Sequence, residues 1–376
     1  MKIILVPMIS FVIFSRYTDA IVMKKVILTA ATSKGAVCLD GSPPGYYIRT
    51  GTTSPNNWIL HQEGGGWCFN EDQCVLRSKT DLGSSKGWPP NVTYSGLLSD
   101  DCTVNPDFCG WSMVYIGYCD GASFSGNVEN PVNWKGTTLY FRGARILEVV
   151  INAVLEAAGD NIEHIILTGC SAGGLATYLH ADYVRSKVPS QIPVHAIADA
   201  GYFLDAPNVN GEMHIRERYQ YVYKMQNCTG GVNQDCIAAN PTEEWKCFMA
   251  QYTYPHITTP IFLLNSRYDT YQINFILQLH CHAPNCSTDQ MKEFMKYGNE
   301  FLVAAAPAIT SKSNGVYIDS CQIHCQSLKE IPWSKFIVGG QTMRDTFNAW
   351  LTNSTAMKSK VVDCAYPCNP TCLLNS

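Results

Sequence analysis

The stretch His164-Ile-Ile-Leu-Thr-Gly-Cys-Ser-Ala-Gly-Gly-Leu-Ala-Thr-Tyr178 limits what this chain can fold into more than any other. Ile165 to Leu167 is an apolar run that reads as a buried strand. Leu175, Tyr178, Leu179 and Tyr183 then fall at helical spacing up to Lys187. Between them, Gly169-Cys-Ser-Ala-Gly173 fits G-x-S-x-G. A strand that turns on Gly, presents a Ser and runs into a helix is the setting of a nucleophile elbow. Glycine lets the backbone bend while a neighbouring chain passes close. The helix then aims its N-terminal amides where negative charge would develop. The pattern needs that setting, because Gly83-Ser-Ser-Lys-Gly87 fits it too. Polar residues precede that second match and Trp88-Pro-Pro90 follows it, so no helix can start there and Ser85 reads as a loop serine.

Around the elbow, strands alternate with helices. Asn57 to His61, Met113 to Tyr118, Pro193 to Ala198, Pro260 to Asn265 and Gly315 to Asp319 read as strands, the last named as the final one. Ile146, Val149, Val150, Ala153, Val154 and Ala157 mark one helix face, and Met343, Phe347, Trp350 and Leu351 a final one. This alternation predicts an α/β fold, a mostly parallel central sheet flanked by helices. The polar stretch from about Gln220 to His256, with three cysteines, breaks the alternation and reads as a disulfide-stapled cap over the sheet.

The chain has 376 residues, 46% apolar and 15% charged, which supplies a sizeable core and argues against disorder. A net charge of −4 without a basic tract excludes nucleic acid as the expected partner. Residues 1–20 resemble a secretory signal: Lys2, an apolar run from Ile3 to Phe14, and small Thr18 and Ala20 before a cut. Residues 21–376 read as one domain, expected to be monomeric, and no segment is long enough to span a bilayer. Seventeen cysteines without a C-x-x-C pair point to disulfides rather than zinc. Cys170, inside the elbow, is expected to stay a buried thiol. The other sixteen would form up to eight disulfides, with Cys68–Cys74 and Cys281–Cys286 as natural short loops. Sequons at Asn91, Asn227, Asn285 and Asn353 also point to export.

A serine nucleophile needs a base and a carboxylate that orients the base, in the chain order Ser, acid, His, just after strand ends. Asp269 follows the second strand after the elbow and is the expected acid; the bland reading makes it the cap of a helix from Thr270 to Leu279. Asp199 reads as pocket wall or turn. His324 follows the strand at Asp319, between Cys321 and Cys325, which could pin its loop. His61 comes before the Ser, in the wrong order. His280 and His282 flank Cys281 and read as a disulfide loop rather than a metal site. Donors for an oxyanion are expected from the Gly65-Gly66-Trp67 loop and from the amide of Ala172.

These residues lie in motifs that resemble the pectin acetylesterase family, which includes the animal Wnt deacylase branch. The motifs are Gly35 to Gly45, Glu63-Gly-Gly-Gly-Trp-Cys-Phe69, Tyr118-Cys-Asp-Gly-Ala-Ser-Phe-Ser-Gly126, Gly169 to Gly174, Ala198-Asp-Ala-Gly201 and Asp319-Ser-Cys-Gln-Ile-His-Cys-Gln326. The resemblance spans nearly the whole chain after residue 35 and is nearer to the plant branch. It implies a secreted cell-wall serine carboxylesterase of α/β-hydrolase-like fold that removes acetyl groups from pectin, with no metal or organic cofactor. It places the family's triad on Ser171, Asp269 and His324. Arg267 departs from the plant pattern and would either contact a galacturonate carboxylate or be a solvated loop charge. The alternatives are a lipid-type carboxylesterase of the Wnt deacylase branch and a non-catalytic wall-polysaccharide binder.

Overall fold

The computed structural model describes residues 22–375, so the signal-like residues 1–20 lie outside it. Ten strands form one sheet. Seven run parallel, in the order Lys360–Val362, Gly315–Asp319, Ile261–Ser266, Val194–Asp199, His164–Cys170, Ser54–Gln62 and Trp111–Ile116. Gly45–Arg49, Met23–Ile27 and Asn91–Val92 continue it antiparallel. The elbow strand lies inside the parallel part, hydrogen-bonded on both sides. Ile165, Ile166, Leu167, Ile261, Phe262, Leu263 and Leu264 are fully buried, as apolar runs in a doubly covered parallel sheet require. Each such side chain contributes about 1.5–3 kcal/mol by leaving water.

The helix Gly143–Ala158 buries Ile146, Leu147, Val150, Ile151 and Val154. The apolar stripe is rotated from the expected one, and Ala157 is exposed. Met343–Leu351 buries Met343, Phe347 and Trp350 as expected. Gly315–Asp319 is not the last strand: Lys360–Val362 pairs with it beyond the final amphipathic helix. Three residues cannot show a period, which is why this edge strand is silent in the sequence. Between Val194–Asp199 and Ile261–Ser266 lies the expected insertion, opened by the helix His214–Met225. It is stapled once, by Cys236–Cys247.

The described residues hold eight disulfides, among them Cys68–Cys74 and Cys281–Cys286. One expectation fails. Cys170 is no thiol but is bonded to Cys325, and the unpaired cysteine is Cys228, buried in the insertion. Pairing follows distance in the fold, and the Cα atoms of Cys170 and Cys325 come within 5.6 Å across 155 residues of sequence. All four sequon asparagines are exposed. No helix among the described residues is long and apolar enough to cross a membrane.

Candidate active site

Ser171 sits between the strand His164–Cys170 and the helix Ala172–Lys187, with φ 60° and ψ −124°. A positive φ in a residue with a side chain is strained and persists only where surroundings impose it. Here they do. A Cβ on Gly173 would lie 2.0 Å from the Gln62 carbonyl, and one on Gly169 would lie 2.2 Å from the Gly173 carbonyl. Ser171 N–H donates to the Asp199 carbonyl at 3.0 Å. Ala200 and Cys325, in neighbouring loops, also have positive φ. Ser85, in the rival pattern, is a buried loop serine whose hydroxyl donates to the Pro43 carbonyl at 2.6 Å.

Asp269 and His324 meet: His324 Nδ1 and Asp269 Oδ2 are 2.7 Å apart. The other Asp269 oxygen accepts from the Gln272 N–H at 3.0 Å and caps the helix Thr270–Phe275. One oxygen of Asp269 therefore meets the imidazole while the other caps a helix, which ends at Phe275 rather than at Leu279. His324 Nε2 is buried and has no hydrogen-bond partner among the described residues. Burial disfavours a charged His324, but the carboxylates of Asp269 and Asp199 outweigh it and raise its pKa above the ordinary value.

The loop that carries His324 is fixed from four sides. Cys325 is bonded to Cys170, beside Ser171, and Cys321 to Cys372. Asp199 Oδ2 accepts from the N–H of Gln326, the N–H of Ser327 and the hydroxyl of Ser327, each at 2.7 Å. Asp319 accepts from the Cys321 N–H at 2.9 Å and from Gln326 Nε2 at 2.7 Å. Burial pushes the Asp319 carboxyl up to about 7. Asp199 is thus more than pocket wall; nothing in its local spacing shows that its partners lie more than a hundred residues away.

The glycine loop stands against the elbow, since a Cβ on Gly64 would lie 3.0 Å from that of Ser171. Gly65 and Gly66 have positive φ. The N–H groups of Gly65, Gly66, Trp67 and Ala172 have no protein acceptor among the described residues. Their carbonyls are held instead: Arg77 donates to Gly65 O at 2.9 Å and the Tyr118 hydroxyl to Gly66 O at 2.8 Å. The Trp67 indole donates to Ser123 Oγ at 2.8 Å, which donates to Ala172 O at 2.7 Å. Ser123 therefore ties the two groups of free donors together. Sequence reading missed Arg77 and Ser123 as supports. It missed Tyr271 too, whose ring stacks on His324 with centroids 5.5 Å apart.

The other candidates fall away. His61 is buried under Tyr115, and burial pulls its pKa down to about 3. His280 and His282 flank the expected Cys281–Cys286 disulfide. Arg267 is 3% exposed, with Nη2 on Asn299 Oδ1 at 2.7 Å and Nε on the Gly298 carbonyl at 3.3 Å. It is neither a substrate contact nor a solvated charge, because the loop turns it inward against the helix Thr288–Ala304.

Comparison with known proteins gives consistent matches. The family model described as pectinacetylesterase matches residues 17–373. Pectin acetylesterase 5 of Arabidopsis thaliana is 37% identical over 93% of this chain and 84% of its own length. Pectin acetylesterase 7 of the same plant is 35% identical over 92% and 91%. The solved structure of the Wnt deacylase Notum from Drosophila matches with a TM-score of 0.82 and 25% identity, covering 93% of this chain and 99% of that one.

Proposed function

The chain belongs to the pectinacetylesterase family, a family of carboxylic ester hydrolases, and from that premise we propose that it removes acetyl groups from pectin through Ser171, His324 and Asp269. The observation that carries this reading is the 2.7 Å contact of Asp269 with His324, in a loop bonded through Cys325 to the residue before Ser171.

In this mechanism His324 Nε2 takes the proton of the Ser171 hydroxyl as its oxygen attacks the acetyl carbonyl. Asp269 holds Nδ1–H, fixes the tautomer and stabilises the imidazolium. The amides of the Gly65–Trp67 loop and of Ala172 receive the oxyanion; each such donor is worth about 10²–10³ in rate. The C–O bond to the sugar breaks, and the departing oxygen takes the proton back from His324. Water then attacks the acetyl-serine by the same route, freeing acetate and the serine hydroxyl. Eight disulfides, four exposed sequons and the family support an extracellular place at the cell wall.

Acetate release from acetylated pectin tests the reading. The wild-type chain is expected to free acetate and Ser171→Ala to free none while keeping its circular-dichroism spectrum. Undiminished release by the variant would remove Ser171 from the mechanism. A second reading, hydrolysis of a long acyl chain, has support in the likeness to a Wnt deacylase and in the Trp67, Phe203 and Tyr271 rings packed beside His324. Faster turnover of p-nitrophenyl palmitate than of the acetate would favour it.

A further inference from the structure

Arg218 lies on the insertion helix His214–Met225, one residue before Tyr219. Tyr219 is buried and packs edge-on against Trp67 of the glycine loop, with centroids 5.0 Å apart. The guanidinium carbon of Arg218 sits 5.2 Å from the centre of the Phe69 ring. Its charge also reaches Tyr271, whose phenol burial pushes up to about 12 while Arg218 pulls it down. Tyr271 is the ring that stacks on His324. Arg218 thus stands on the insertion side of the aromatic wall whose other face carries the candidate base.

Arg218 differs from every other arginine of the described residues. Arg49, Arg77, Arg142, Arg145, Arg185, Arg216, Arg267 and Arg344 each donate to a protein acceptor. Two residues away, Arg216 grips buried Asp205 at 2.9 Å. Arg218, half-exposed, has no hydrogen bond and no carboxylate partner among the described residues, only an aromatic face beneath it. A guanidinium lying on a ring has its plane set and its donor edge open, the geometry that a carboxylate binds in two-pronged fashion. Exposed Lys329 donates to the His324 carbonyl at 3.2 Å. The chain as a whole carries −4. A polyuronate would be repelled by that net charge, so local cations beside the candidate site decide whether it docks.

We propose that Arg218 is the specificity residue that binds the free carboxylate of a uronate unit beside the acetylated one, with Lys329 as a weaker second contact. This rests on the pectin reading above and names what that reading leaves open, namely that the enzyme selects acetylated chains with unesterified carboxylates.

The test uses the full chain on one acetylated pectin prepared with free carboxylates and again with its carboxylates methyl-esterified. The quantity read is the ratio of kcat/KM on the first to that on the second. For wild type the ratio should exceed one and fall as salt is added. Arg218→Gln should lower it about tenfold, through KM, and Arg218→Lys should restore part of it. A structural role would lower both rates together and leave the ratio alone, so an unchanged ratio in Arg218→Gln overturns the assignment. A wild-type chain that hydrolyses p-nitrophenyl acetate but frees no acetate from either pectin overturns the pectin reading itself.

Discussion

His324 is raised above the ordinary histidine pKa although it is partly buried, because two carboxylates face it: Asp269 in contact, and Asp199 through the loop it anchors. A base acts in its neutral form, so kcat/KM should fall as pH drops through this raised pKa, above the free-histidine value of 6.5. Asp199→Asn removes one negative charge yet keeps an acceptor of equal size for the Gln326 and Ser327 amides. The acid limb of the pH profile on p-nitrophenyl acetate should then move to lower pH; a limb that stays or rises contradicts the role given to Asp199. At this scale the sequence was readable where chemistry constrains order and context, as for the strand–turn–helix setting of Ser171 and the meeting of Asp269 with His324. It was unreadable for Arg267 and Cys170. The direction of a loop side chain and the partner of a cysteine depend on neighbours far away in the chain.

The elements that carry Ser171 and His324 are joined by a covalent bond, Cys170–Cys325. A cross-link closing so long a loop stabilises by about 5 kcal/mol on the loop-entropy account. Its placement adds a second effect, since a small shift of the imidazole from the hydroxyl costs rate. The double variant Cys170→Ala/Cys325→Ala should lose about tenfold or more in kcat as well as Tm. Removing Cys281–Cys286, which closes a five-residue separation, should lower Tm with little change in kcat. Equal kcat in the two double variants contradicts a positioning role for the first. Strands in the parallel part were legible as short apolar runs, apart from the three-residue edge strand Lys360–Val362. The antiparallel side was not, because Met23–Ile27 carries Lys24 and Lys25 and Gly45–Arg49 carries Arg49, so neither reads as a continuous apolar run.

Across the whole molecule, the parallel strands bring residues from four distant places to one end of the sheet: 65–67, 171, 269 and 324. Loops after the carboxyl ends of parallel strands are where such a sheet gathers its chemistry. The insertion completes that end with Tyr219 and Arg218, and it was visible in the sequence only as a break in alternation. The account stands on the convergence of Ser171, His324 and Asp269, and a fluorophosphonate probe with peptide mapping reads it directly. The native chain should carry one adduct, on Ser171. Asp269→Asn keeps the helix cap, because asparagine caps as well as aspartate, yet it should slow labelling by about 10³–10⁴-fold by losing the tautomer that activates the serine. An adduct on another residue, or equal labelling rates in wild type and Asp269→Asn, would contradict it.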